Sequence, residues 1–349
     1  RSRLFAVVSS NSVFRFKGQR VDTRRIAREL NARYILEGSV RGSAKRVRVN
    51  AQLIDAHADT HVWAEHYDRE WSLLPGDQDE LIDLIVTTIV PAYLAAERRR
   101  VDDEHDTRAW DLFVRAYWQL STFTREGVGD AIDACQRAIA LDPSAAVYHG
   151  LLAVAFNIQG IYDWGRSVRQ SFEDARRAAE RANQLDDSHP LVCRAMGLVS
   201  LYERRIDDAL HYFGKAVDVD PFEAENWALL GNARGLAGDY AQARELVGKA
   251  AQMSPRDTYI AGWFGYLAMA AIMAGELEDA VQWSRRAIRQ NPSFPGGHRS
   301  LVVALVQLDR LDAARASLRE LLALVPDLSL GSLDAVLPIV DRADRERYL

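Results

Sequence analysis

From about residue 107 onward, apolar and small residues recur at helical spacing in paired segments. Most pairs close on a short phrase ending in proline: LDP at 141–143, VDP at 219–221, MSP at 253–255, QNP at 290–292 and LVP at 324–326. Proline cannot continue a helix, so each phrase marks a stop and a restart. Pro221, Pro255, Pro292 and Pro326 are 34, 37 and 34 residues apart. That period predicts a solenoid of two-helix repeats, in which no pair can bury its apolar face alone and neighbours must stack.

The spacing inside each period matches the tetratricopeptide pattern. With the proline counted as position 32, position 20 is Ala131, Ala209, Ala243, Ala280 and Ala314. Position 27 is Ala138, Ala216, Ala250 and Ala287, with Leu321 as a departure. Position 8 is Gly197, Gly231 and Ala268, and position 4 is Trp227 and Phe264. Small residues at 8, 20 and 27 let helices cross closely, and a large residue at 4 fills the groove. The second repeat is irregular: its helices are predicted near 144–158 and 167–186, with GIYDWGRS at 160–167 as an insertion. Tyr162 and Trp164 there are an exposed anchor or a plug on the next repeat, and plugging is the preferred reading because large aromatics pack.

The front of the chain has a different period. LFAVV at 4–8 reads as a buried strand, and 22–31 as a helix with Asp22 as its N-cap. Three strands are predicted at 33–41, 46–55 and 60–68; RVRVNAQLID alternates polar and apolar as a half-buried strand must. Residues 78–100 read as one long amphipathic helix. The predicted organisation is a 1–75 α+β domain, a 76–106 linker helix and a 107–349 solenoid of about six repeats: a mostly α fold with a small α+β domain in front.

The phrases RYILEGSVR, RVRVNAQLIDA and HVWAEHYDR, in that order and spacing, make residues 3–71 resemble the TolB-like amino-terminal domain. In that family tetratricopeptide repeats commonly follow. The resemblance implies a multidomain bacterial signalling protein with a class III adenylate/guanylate cyclase domain upstream, or alternatively a winged helix-turn-helix DNA-binding domain. The family's usual first strand and helix are missing here. With an opening of Arg1-Ser2-Arg3 and no Met, this reads as a piece of a longer protein.

Charge divides with the two regions. Residues 1–75 carry a balance of +6 and the remainder −11, within a net −5. The basic front raises nucleic acid as a partner, but a solvated strand face accounts for it more simply, so no nucleic acid is expected to bind. No apolar run approaches the length of a membrane span. Two cysteines in 349 residues exclude a disulfide scaffold and point to a reducing, cytoplasmic setting. Cys135 and Cys193 fall at core repeat positions. There is no GxxxxGK loop, no GxGxxG and no HExxH. His57, Asp59, His61 and His66 could offer metal ligands, but they read better as a polar strand edge. No cofactor, metal or catalytic set is expected, and the chain reads as non-catalytic.

The remaining surface is the concave groove, into which repeat positions 2, 5, 9, 12 and 13 point. They place there Arg194 and Arg299 (position 5), Asn232 (9) and Tyr202 (13). Arginine forks a carboxylate and asparagine bonds a peptide backbone. These four are the candidate contacts to a protein or peptide partner. In repeat 5, Gly262, Gly265, Met269 and Ile272 predict a shallow apolar surface. A solenoid with an uncovered end exposes an apolar face, which leaves self-association open.

Overall fold

The computed structural model describes residues 22–43, 46–70 and 109–349 apart from 166 and 256, with residue 16 and scattered positions between 85 and 97. The expected strand at 4–8 lies outside the described residues, as does most of the expected 78–100 helix. The chain divides into two units, Arg1–Arg100 and Val101–Leu349.

In the first unit, α1 (Thr23–Leu30) starts where the Asp22 side chain accepts from the Arg24 amide at 2.9 Å, and ends at Asn31 in the left-handed region. Three strands follow, β1 (Tyr34–Ser43), β2 (Arg46–Asp55) and β3 (Thr60–Glu70), as an antiparallel meander in the order β1-β2-β3. Val47, Val49, Ala51 and Leu53 of β2 are buried on alternate positions. A register shift opposite Leu53 and Ile54 breaks the alternation, so Ile54 is buried as well.

The second unit is a tetratricopeptide solenoid of six helix pairs. They are α2 (Ala109–Ser121) with α3 (Arg125–Leu141), α4 (Ala146–Ile161) with α5 (Val168–Leu185), and α6 (Pro190–Tyr202) with α7 (Ile206–Val219). Next come α8 (Ala224–Leu236) with α9 (Tyr240–Met253), α10 (Ile260–Ala274) with α11 (Leu277–Gln290), and α12 (Pro295–Gln307) with α13 (Leu311–Leu324). Two short helices of seven residues each follow, α14 (Leu330–Val336) and α15 (Arg342–Tyr348).

All five alanines at position 20 are buried, as are the four at position 27 and Leu321. At Gly231 the seam is tight: a Cβ there would fall 2.8 Å from the Val247 side chain. Each turn inside a pair contains one residue with positive φ: Phe123, Asp163, Arg204, Gly238, Gly275 and Asp309. In most of these turns the following amide reaches back to the end of the first helix, as Arg205 does to the Ser200 carbonyl at 2.8 Å, so an L residue is held where glycine is the easier choice. The expected insertion in repeat 2 is largely absorbed into longer helices, which end at Ile161 and resume at Val168.

The solenoid closes on itself. Tyr259 donates to the Tyr117 carbonyl at 3.0 Å, and Asn291 Nδ2 donates to the carbonyls of Ser121 and Thr122 at 3.3 and 3.4 Å. The Phe123 and Phe294 rings meet edge-on at 4.9 Å. The first pair therefore touches the fifth and sixth. The tail formed by α14 and α15 then lies over the open end. Arg204 donates to the carbonyls of Asp334 and Leu337, Gln307 to that of Arg347, and Arg347 to that of Met273. Leu333, Val336, Leu337, Ile339 and Tyr348 are buried in the same core as Leu201, Leu229 and Met269.

Candidate functional site

The first helix of each pair faces inward, and closure turns the expected groove into a chamber of about 110 Å³. Its wall takes Asn157 from α4, Tyr202 from α6, Glu225 and Asn232 from α8, Tyr266 and Met269 from α10, and Arg299 and Ser300 from α12. Phe123, Tyr162, Tyr259 and Phe294 enter from the turns, and Val336, Pro338 and Tyr348 from the tail. The wall mixes aromatic and aliphatic side chains, with polar groups at two poles.

One pole is acidic. Arg194 is buried in α6, its Nη1 3.6 Å from Glu223, an ion pair beyond hydrogen-bond reach. Glu225, Asp257 and Asp220 complete the cluster, so one guanidinium faces four carboxyls, and Trp263 Nε1 donates to Glu225. Burial raises the carboxyl pKa values against the pull of Arg194: Glu223 to about 7 and Glu225 to about 8, while Asp257 moves up. Proton uptake thus relieves the excess negative charge.

The other pole is cationic. Arg299 stands at the same repeat position as Arg194, but the groups around it are the hydroxyls of Tyr348, Tyr162 and Tyr202. Its Nε finds no hydrogen-bond partner. Tyr348 shares a hydrogen bond of 2.9 Å with Ser300. Burial pushes the phenols of Tyr202 and Tyr266 well up and that of Tyr162 to about 12, so these hydroxyls stay neutral.

Of the four residues expected on the groove, Tyr202, Asn232 and Arg299 share the chamber wall, while Arg194 lies behind it, engaged with Glu223. The shallow surface expected in repeat 5 is instead filled: Gly262, Gly265 and Met269 are on the wall, and Ile272 is fully buried. A Cβ at Gly265 would fall 2.8 Å from the Phe294 ring, so the glycine makes room for that ring. Tyr162 is buried and Trp164 packs on it at 4.7 Å, but Tyr162 points across the interior to Arg299 and Gly296 of the sixth pair rather than plugging the next repeat. Cys135 and Cys193 are buried, and burial raises both thiols.

In the first unit, Arg24 pairs with Asp59 at 3.0 Å and His66 Nδ1 is 2.6 Å from Asn50 Oδ1. Among the described residues no three His, Cys, Asp or Glu side chains gather as a metal site. No helix among them is long and apolar enough to cross a membrane.

Sequence reasoning passed over Glu225 and Asn157, although they stand at positions 2 and 12 of their repeats and are inward-facing by the same count. Glu223, Asp257 and Tyr348 carry no such signal.

Comparison with known proteins agrees with this architecture. The tetratricopeptide repeat family matches residues 194–258, 237–296 and 267–329. A protein of Rhizobium meliloti (strain 1021) named "Putative adenylate cyclase 3" is 34% identical over 207 residues, 59% of this chain and 35% of the relative. The chain thus spans about a third of that relative's length. Among solved structures, the Cut9–Hcn1 hetero-tetramer of the APC/C is similar at a TM-score of 0.50 and 14% identity, covering 71% of this chain and 46% of that one. YrrB, described as a TPR protein with an unusual peptide-binding site, is similar at a TM-score of 0.33 and 17% identity, covering 56% and 94%. The chain carries a tetratricopeptide solenoid, a fold of protein-interaction type, behind a small α+β unit.

Proposed function

We propose that this chain is the non-catalytic regulatory and interaction region of a bacterial adenylate/guanylate cyclase-type signalling protein. The observation that carries the reading is the coincidence, in one chain, of the repeat match over 194–329 with a 34% identical relative that bears a cyclase name. The TolB-like resemblance of residues 3–71 and a cytoplasmic setting belong to the same reading. The partner is a protein or peptide segment that takes the place of the 330–349 tail on the inner face, where it meets Tyr202, Asn232 and Arg299. Arg194 supports that face through Glu223. Leu311, Leu318 and Leu322 on the outer side of α13 are the surface through which copies would self-associate.

The test has two arms. Mass spectrometry of the native full-length protein identifies what precedes Arg1; a cyclase sequence supports the reading, and a winged helix would make this chain the sensing arm of a transcription regulator instead. In the parent protein, deletion of residues 109–349 is expected to change the control of cyclase output while leaving the chemistry intact. Nucleotide cyclisation by the 349-residue chain alone would contradict the reading.

A further inference from the structure

Three observations at the chamber go beyond partner binding. The first is an unmatched charge. Arg299 is half-buried among tyrosine hydroxyls and donates a hydrogen bond to that of Tyr348, but its Nε has no partner and among the described residues it makes no ion pair. A guanidinium largely withdrawn from water without a counter-ion is costly, and a carboxylate presented to its fork is the strongest compensation available. Arg194, at the same repeat position, has such carboxylates from its own chain.

The second is an unmatched acceptor. Asn157 is 1% exposed and lies on the chamber wall. Its Nδ2 donates to the Ala153 carbonyl at 3.0 Å, which leaves Oδ1 as a buried acceptor with no donor. Such a group costs stability until an O–H or N–H reaches it.

The third is size and wall chemistry. A chamber of about 110 Å³ is somewhat smaller than the apolar cavity of about 150 Å³ that binds benzene, so one ring is the upper limit and its substituents fit only as the tail gives way. Tyr202, Tyr266, Phe294 and Met269 line the same chamber and offer it apolar surface. Val336, Pro338 and Tyr348 close the chamber, so no polypeptide threads it in this state.

We propose that the chamber is a binding site for a small one-ring carboxylate that also carries a hydroxyl, with the carboxylate on Arg299, the hydroxyl donating to Asn157 Oδ1 and the ring between the aromatic walls. The site stands independently of the protein-partner reading: it needs only the closed solenoid and its own tail, and either can fail without the other. Because Tyr348 is part of the wall, entry requires the tail to lift.

The experiment is isothermal titration calorimetry of the full 349-residue chain with 4-hydroxybenzoate, benzoate, phenol and tyramine as probes. The expected result is saturable 1:1 binding of 4-hydroxybenzoate, with benzoate weaker and with phenol and tyramine weaker by about tenfold or more, the loss expected when a charged hydrogen bond is removed. Arg299→Gln should weaken both carboxylates by about tenfold. Asn157→Leu should erase the advantage of 4-hydroxybenzoate over benzoate. No saturable binding of 4-hydroxybenzoate to the folded wild-type chain would overturn the proposal. So would phenol or tyramine binding as tightly as the carboxylates. The probe series on wild type decides the charge question even if Arg299→Gln fails to fold. Ordered water in the chamber, unmoved by any probe, is the competing outcome and also overturns it.

Discussion

The seams between helix pairs and the inner face of the solenoid obey different rules. At the seams the alanines of positions 20 and 27 are all buried, with Leu321 buried where the fifth would stand. On the inner face one repeat position has two fates: Arg194 is held by carboxylates, while Arg299 is surrounded by phenols. Repeat position determines where a side chain points. What it does there is decided by residues far away in sequence, brought in by closure.

The largest expected effect sharpens that contrast. Replacing Arg194 by Met strands Glu223, Glu225 and Asp257 without their cation, so stability in urea should fall by about 3–5 kcal/mol, the cost of breaking a buried pair from one side. Arg299→Met removes a charge that has no carboxylate to strand, and should cost under about half as much.

The acidic pole also makes stability depend on pH. Glu223 and Glu225 titrate near 7 and 8 when folded, against an ordinary 4.5, so the folded chain holds protons that the unfolded chain releases. Their stabilising contribution is full below about pH 4.5 and is lost as pH rises through 7–8. Thermal melts should therefore show declining stability from pH 5 to 9, by on the order of 1–3 kcal/mol. Glu225→Gln, which stays neutral, should flatten that slope; an unchanged slope would remove Glu225 from the account.

Gly265→Val tests the crossing rings. The new side chain meets the Phe294 ring, and overpacking of this kind costs about 1–3 kcal/mol. An unchanged denaturation midpoint would mean that Phe294 does not occupy the groove. The smallest effect belongs to the turns. Asp309 has φ 57°, and Asp309→Gly should leave stability unchanged or raise it by under about 1 kcal/mol. A clear loss would show that the Asp309 side chain contributes something other than backbone geometry.

These contrasts also explain how far the sequence could be read. Period, prolines and the position-20 and position-27 alanines foretell the solenoid, because nearest-neighbour packing is local and repeats. The three strands and the Asp22 cap are legible for the same reason. Counting repeat positions leads to Tyr202, Asn232 and Arg299, which share one wall, and to Arg194, which lies behind it beside Glu223. Their enclosure is not legible, since it depends on Tyr259 reaching Tyr117, on Phe123 meeting Phe294, and on Tyr348 returning to Ser300. These pairs are separated by tens to more than a hundred residues and belong to no motif. Four of the six positive-φ turn residues are not glycine, so the turns that steer the helices are equally quiet in sequence.

Closure is the claim on which the chamber and its two poles rest, and a cross-link tests it directly. Cysteines introduced at Thr122 and Asn291 of the full chain would flank the junction between first and sixth pairs, while native Cys135 and Cys193 are buried and shielded. A short bis-maleimide should join the two new thiols within one molecule in high yield under native conditions, and not after urea unfolding. Absence of that intramolecular product in the folded chain would mean an open solenoid, and the chamber account would fall with it.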